Sequence, residues 1–240
     1  MMVICRDVSK SFAGRYGIVK AVDGVTLEIK KGEAMGLVGE SASGKTTLGK
    51  IILGIVRPDS GTITMNTKRP QVIFQDPYNS LDPKMVVGDI VAEGLALMAG
   101  GRMPEDVRRK KVEEVMDMVK LPKAAFTKFP HEFSGGERQR IAIARAVVTE
   151  PEFIVCDEPV SSLDMTIQLG ILNLLRDIRE KLSITYLFIS HDLRAVKFLC
   201  GRVAVMKEGR IVEEGLASQI YHSPVHPYTK SLIASILEVG

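Results

Sequence analysis

The sequence predicts an α/β fold in which short buried strands deliver polar residues to one edge and a helical segment is inserted between them. Three observations predict it. The apolar run Ala34-Met35-Gly36-Leu37-Val38 has strand length and passes through a Gly-rich stretch into Leu48, Ile51, Ile52 and Ile55, spaced as one face of a helix. Two further apolar runs, residues 153–156 and 184–189, end abruptly in polar residues, Asp157-Glu158 and Ser190-His191-Asp192. Between the Gly-rich stretch with its helix and the run at 153–156, residues 77–148 carry a mostly helical pattern.

Composition bounds the function classes. At 240 residues the chain suits one large or two small domains with a sizeable core. It is 45% hydrophobic and 25% charged, ordinary for a globular protein. Lys+Arg 32 against Asp+Glu 29 gives a net charge of +3, too mild to argue for nucleic acid, and no nucleic-acid partner is expected. Cys5, Cys156 and Cys200 show neither C-x-x-C pairing nor metal-ligand spacing, which predicts reduced thiols in a cytosolic setting. No apolar run approaches ~18 residues, and Arg6 and Asp7 interrupt any leader-like start. A soluble chain able to dock onto a membrane protein is the expectation.

Taken in order, residues 3–5 and 25–29 read as strands, with 11–20 as a loop carrying Phe12 and Tyr16. An aromatic ring there could stack on a base or close a small β-subdomain, and composition does not separate the two. The helix after the Gly-rich stretch ends near Gly54, before Pro58 and Gly61. Residues 61–65 and 72–74 are short strands, and Gln75-Asp76-Pro77 turns the chain away. Val112, Val115, Met116 and Val119 mark an amphipathic helix. Ser134 is an N-cap for a helix running to Val148, and Gly135 and Gly136 leave backbone N–H groups open at its positive end. Ile167, Ile171, Leu174, Leu175, Ile178 and Leu182 line another helix. Residues 203–206 and 211–213 form a hairpin around Glu208-Gly209, and a helix closes the chain over 228–237.

The chemistry concentrates in Gly39-Glu40-Ser41-Ala42-Ser43-Gly44-Lys45-Thr46-Thr47, which is G-x-x-x-x-G-K-T, a phosphate-binding loop. Gly39 and Gly44 permit a tight turn, loop N–H groups cradle an anion, Lys45 reaches the β- and γ-phosphates, and the Thr46 hydroxyl suits Mg²⁺. Asp157 at a strand end is placed for the Mg²⁺ shell, and Glu158 to orient an attacking water or accept its proton. His191 emerges at another strand end, on the edge where it would meet the γ-phosphate.

In this order the motifs resemble the nucleotide-binding subunit of ATP-binding-cassette (ABC) transporters, over nearly the whole chain. Residues 39–47 are similar to the Walker A loop, Gln75 to the Q-loop, and Ser134, Gly135, Gly136 and Glu137 to the signature. Residues 153–158 are similar to Walker B, 161–164 to the D-loop, and His191 to the switch histidine. Phe12 takes the place of the base-stacking aromatic, with Tyr16 as the alternative.

The resemblance implies a RecA-like P-loop NTPase core with an N-terminal antiparallel β-subdomain, over 1–75 and 150–240, and an inserted helical subdomain over 76–149, in one cassette. It implies ATP and Mg²⁺, with Thr46, Gln75 and Asp157 around the metal and Glu158 and His191 in catalysis. It also implies a head-to-tail dimer in which the signature meets the partner's ATP.

Three stretches resemble the oligopeptide, dipeptide and nickel importer group: Phe74-Gln75-Asp76-Pro77-Tyr78-Asn79-Ser80-Leu81-Asp82-Pro83, Phe133-Ser134-Gly135-Gly136-Glu137-Arg138-Gln139-Arg140, and the H-P-Y-T of His226-Pro227-Tyr228-Thr229. That group implies two membrane permeases, an extracytoplasmic binding protein reached through them, and a location at the cytoplasmic face of the membrane. Asp157-Glu158-Pro159-Val160-Ser161 resembles the second of the group's two ATPases, favouring a heterodimer with a sister subunit over a homodimer. The segment between Met65 and Gln71 is shorter than the family's. The alternative is a soluble ABC ATPase outside transport, an accessory of phosphonate breakdown or a nucleic-acid or assembly ATPase.

Overall fold

The computed structural model describes residues 1–14, 17–98 and 103–237. In chain order its strands are β1 (Val3–Gly14), β2 (Gly17–Ile29), β3 (Ala34–Val38), β4 (Ser60–Met65), β5 (Pro70–Ile73), β6 (Phe153–Asp157), β7 (Thr185–Ser190), β8 (Arg202–Lys207) and β9 (Arg210–Leu216). The helices are α1 (Lys45–Ile52), α2 (Pro77–Ser80), α3 (Val87–Met98), α4 (Glu105–Met118), α5 (Gly135–Val147), α6 (Met165–Leu182), α7 (Leu193–Leu199), α8 (Ala217–His222) and α9 (Pro227–Leu237). They fall into two compact units, Met1–Pro70 with Thr185–Gly240, and Gln71–Ile184.

The first unit holds an antiparallel sheet in the order β2-β1-β4. Val3, Cys5 and Val8 on β1, with Val25, Leu27 and Ile29 on β2, are buried, while Arg6, Thr26 and Glu28 between them face outward. The period of two over residues 25–29 is what a half-buried strand requires, and on β1 a register shift between Cys5 and Val8 interrupts it. The same unit contains β7, β3 and β8 in parallel, with β9 antiparallel to β8. Every residue of β3 and β7 is buried, which explains the apolar stretches 34–38 and 186–189. Gly36 lets α7 close on β3, since a Cβ there would lie 2.5 Å from Val196 Cγ1.

Two expectations need correction here. The expected loop over 11–20 is strand on both sides of residues 15–16, which lie outside the described residues: residues 11–14 finish β1 and 17–20 open β2, paired Ser11 with Lys20 and Phe12 with Val19. Ladder hydrogen bonds hold these arms with little burial (Ile18 is 82% exposed), so no apolar alternation marked them in the sequence. Tyr16 lies outside the described residues. Ile55 does not extend the helical stripe, because α1 stops at Ile52 in a Schellman turn. There Gly54 is left-handed, and the Gly54 and Ile55 N–H groups donate to the Ile51 and Lys50 carbonyls.

In the second unit α3 packs on α4 and α5. Val112, Val115, Met116 and Val119 are all buried, as their spacing predicts. Arg140 ties α5 to the end of α4 by donating to the Val119 carbonyl at 2.9 Å, and Arg145 ties it to α2 through the Ser80 carbonyl. Strands β5 and β6 are neighbours, and β6 is buried throughout. The mixed α/β architecture with a helical insertion is as expected. Among the described residues no helix is long and apolar enough to cross a membrane.

Candidate nucleotide site

In the first unit, the Gly-rich loop leaves the C-terminal end of β3 and enters α1 at Gly44. Gly39 and Gly44 have φ of 155° and 105°, in the region that favours glycine. A Cβ on Gly39 would run into the Met206 carbonyl, and one on Gly44 into the Ala21 carbonyl. The loop is therefore pressed between the ends of β8 and the β2 strand, with no room for side chains at either glycine. Ala42 is also left-handed, at φ 63°. No acidic residue stands in the first turn of α1, so no carboxylate of the helix itself opposes an anion at its positive pole.

Lys45 is 4% exposed, and its ammonium is satisfied inside the loop. It donates to the Gly39 carbonyl at 2.8 Å, the Glu40 carbonyl at 2.7 Å and the Ser43 hydroxyl at 3.3 Å. Thr46 is exposed, Thr47 half-buried, and Glu40 and Ser41 are exposed. Val38 pairs with Ser190 in the parallel register, so the loop and His191 leave the same sheet edge side by side. His191 itself is exposed. Phe12 lies on the β1 arm, 43% exposed, with Lys10 Nζ 5.5 Å from its ring centroid.

In the second unit, Asp157 ends β6 and is 8% exposed, while Glu158 follows half-buried at φ 49°. A non-glycine residue there is strained by about 1–2 kcal/mol. The turn that holds it is closed by Ser161, whose N–H and hydroxyl both donate to the Glu158 carbonyl, at 3.3 and 3.1 Å. Gln75 is exposed in the bend between β5 and α2.

Ser134 caps α5 in a reciprocal box: its hydroxyl accepts the Glu137 N–H, and the Glu137 carboxylate accepts the Ser134 N–H at 2.9 Å and hydroxyl at 2.8 Å. The Ser134 N–H and then its hydroxyl hold the Glu137 carboxyl below the usual range. The box commits the Ser134 and Glu137 N–H groups. Those of Gly135 and Gly136, in the first turn, have no intrahelical acceptor by geometry and are the donors an anion would meet.

Sequence reasoning missed the supports of the phosphate loop. The Gly209 N–H, in the β8–β9 turn, donates to the Ser43 carbonyl at 3.0 Å, and the Gly209 carbonyl accepts the Asp23 N–H at 2.8 Å. Tyr228 reaches the loop as well, accepting the Glu40 N–H. The only signal available was the Glu208-Gly209 turn and the H-P-Y-T spelling, neither of which names its target.

Strand, phosphate loop and helix, with a lysine folded into the loop, define a phosphate-loop nucleoside triphosphatase. The ABC transporter family model matches residues 22–161, and the chain belongs to that family. It is 45% identical to the oligopeptide transport ATP-binding protein OppF of Streptococcus mutans, covering 99% of this chain and 82% of that one. OppF of Bacillus subtilis is 42% identical, over 96% of this chain and 81% of its own. Among solved structures, the dimeric ATP-binding cassette MJ0796 in a post-hydrolysis state bound to ADP and Pi superposes with a TM-score of 0.80. It shares 28% identity and covers 90% of this chain and 99% of its own. As a member of this family the chain is an ATP-binding ATPase.

Proposed function

We propose that the chain is the ATP-hydrolysing subunit that energises import of oligopeptides through a membrane complex. The observation that carries this reading is the likeness to two OppF proteins along nearly all of the chain. The phosphate loop supplies the chemistry: Gly39, Glu40, Ser41, Ala42, Ser43, Gly44, Lys45, Thr46 and Thr47 hold the triphosphate, and Phe12 stacks on the base. Glu158 orients a water and takes its proton as the water oxygen bonds to the γ-phosphorus and the bond to ADP breaks. His191 contacts the γ-phosphate. Thr46, Gln75 and Asp157 offer hydroxyl, amide and carboxylate oxygens, the hard donors that Mg²⁺ takes alongside phosphates. When bound, the ion neutralises charge on the β- and γ-oxygens.

Ser134, Gly135, Gly136 and Glu137 meet the ATP of a second cassette, a sister subunit in preference to a second copy. Residues 76–149 act as the helical subdomain on which two permeases dock at the cytoplasmic face, and a binding protein delivers cargo to them from outside. The test is a pull-down of the tagged chain from gently solubilised membranes. Two permeases and a sister ATPase are the expected companions. Recovery with soluble enzymes or nucleic acid would leave the ATPase standing and overturn the transport assignment.

A further inference from the structure

We propose that Tyr228 is a positioning residue for the phosphate loop, which makes the C-terminal H-P-Y-T element a working part of the nucleotide site. The inference rests on the ATPase reading and deepens it. The Glu40 N–H donates to Tyr228 Oη at 3.0 Å, across 188 residues of chain. The carbonyl of that same peptide unit, on Gly39, accepts the Lys45 ammonium at 2.8 Å. A peptide unit is rigid and planar, with N–H and C=O pointing in opposite directions, so fixing one end fixes the other. Tyr228 thereby sets the plane on which the Lys45 ammonium rests.

The tyrosine is itself well anchored. It is 9% exposed, with Lys207 Nζ, at the end of β8, 5.0 Å from its ring centroid. Its N–H donates to His226 Nδ1 at 3.1 Å. The preceding Val225 and His226 N–H groups donate to the two carboxylate oxygens of Glu213 on β9, at 2.8 and 3.0 Å. A continuous line of hydrogen bonds therefore runs from β9 through residues 225–228 to the phosphate loop and ends at Lys45. A loop ordered before its ligand arrives loses less entropy on binding. Without the hydroxyl, the Gly39–Glu40 peptide unit loses the anchor on its N–H side, and the seat of the lysine on the Gly39 carbonyl loosens while its bonds to the Glu40 carbonyl and the Ser43 hydroxyl remain.

The experiment is Tyr228→Phe in the full chain, which removes the hydroxyl and keeps the ring in place. ATP binding by calorimetry and KM for ATP are expected to weaken roughly five-fold, the worth of one hydrogen bond, with kcat held within about twofold. Amide hydrogen exchange at Glu40 in the nucleotide-free chain is expected to accelerate, with exchange in β8 unchanged. A merely structural role would lower Tm and slow turnover without this split. Unchanged ATP affinity, or unchanged exchange at Glu40, overturns the proposal. A wild-type chain that binds no ATP would instead sink the ATPase reading, and the exchange measurement would still decide what Tyr228 does to the loop.

Discussion

Glu137 sits where the chemistry of one side chain can be followed through to pH. Its carboxyl is depressed by the Ser134 N–H and hydroxyl, so it stabilises the fold above the carboxylate's unfolded value of about 4.3, and that contribution is lost as pH falls through the lower folded value. Glu137→Gln keeps an acceptor for the Ser134 N–H and cannot titrate. The Tm advantage of wild type over this variant is expected to shrink between about pH 6 and about pH 3. An advantage that stays constant across that range would remove the ionised cap from the account. Ser134 as an N-cap was readable from the sequence because a cap needs only neighbours three residues apart. The left-handed backbone of Glu158 was not, since nothing in a strand-ending Asp-Glu pair announces a positive φ.

Among the elements, the contact between α5 and α6 separates two glycines that look alike in the sequence. A Cβ on Gly136 would lie 2.5 Å from Ile167 Cγ2, whose branched carbon is close to the backbone of α6 and cannot swing away. One on Gly135 would meet Leu163 Cδ2 at 3.4 Å, an ordinary contact. Gly136→Ala is therefore expected to cost about 1–3 kcal/mol and lower Tm, while Gly135→Ala stays folded with Tm unchanged or slightly higher. Thermal melts of the two variants, side by side, decide it. Equal Tm values would mean that the start of α5 yields freely. Ile167 also clarifies the stripe on α6: Ile171, Leu174, Leu175 and Ile178 are core, whereas Ile167 is half-buried and spends its side chain on Gly136.

For the whole molecule, the proposed reaction assigns the proton transfer to Glu158. Glu158→Gln is expected to bind ATP normally, lose turnover by about a hundredfold or more, and accumulate as an ATP-bound dimer with its partner cassette. Light scattering with and without ATP, beside a phosphate-release assay, reads both effects. Normal hydrolysis by the variant would sink the assignment.

The sequence by itself determined the α/β class, the strand–loop–helix around Lys45, the helix capped by Ser134 and the family. Each depends on residue type over a few neighbouring positions, where periodicity, caps and glycines leave a direct trace. Only the tertiary structure decided that residues 11–14 and 17–20 are strand arms, that Gly209 and Tyr228 support the phosphate loop, and that Gly136 is a packing glycine. These are contacts between residues far apart in the chain, made largely by backbone groups that every residue carries. A hydrogen bond of that kind has no spelling in the sequence, and the fold alone chooses its partners.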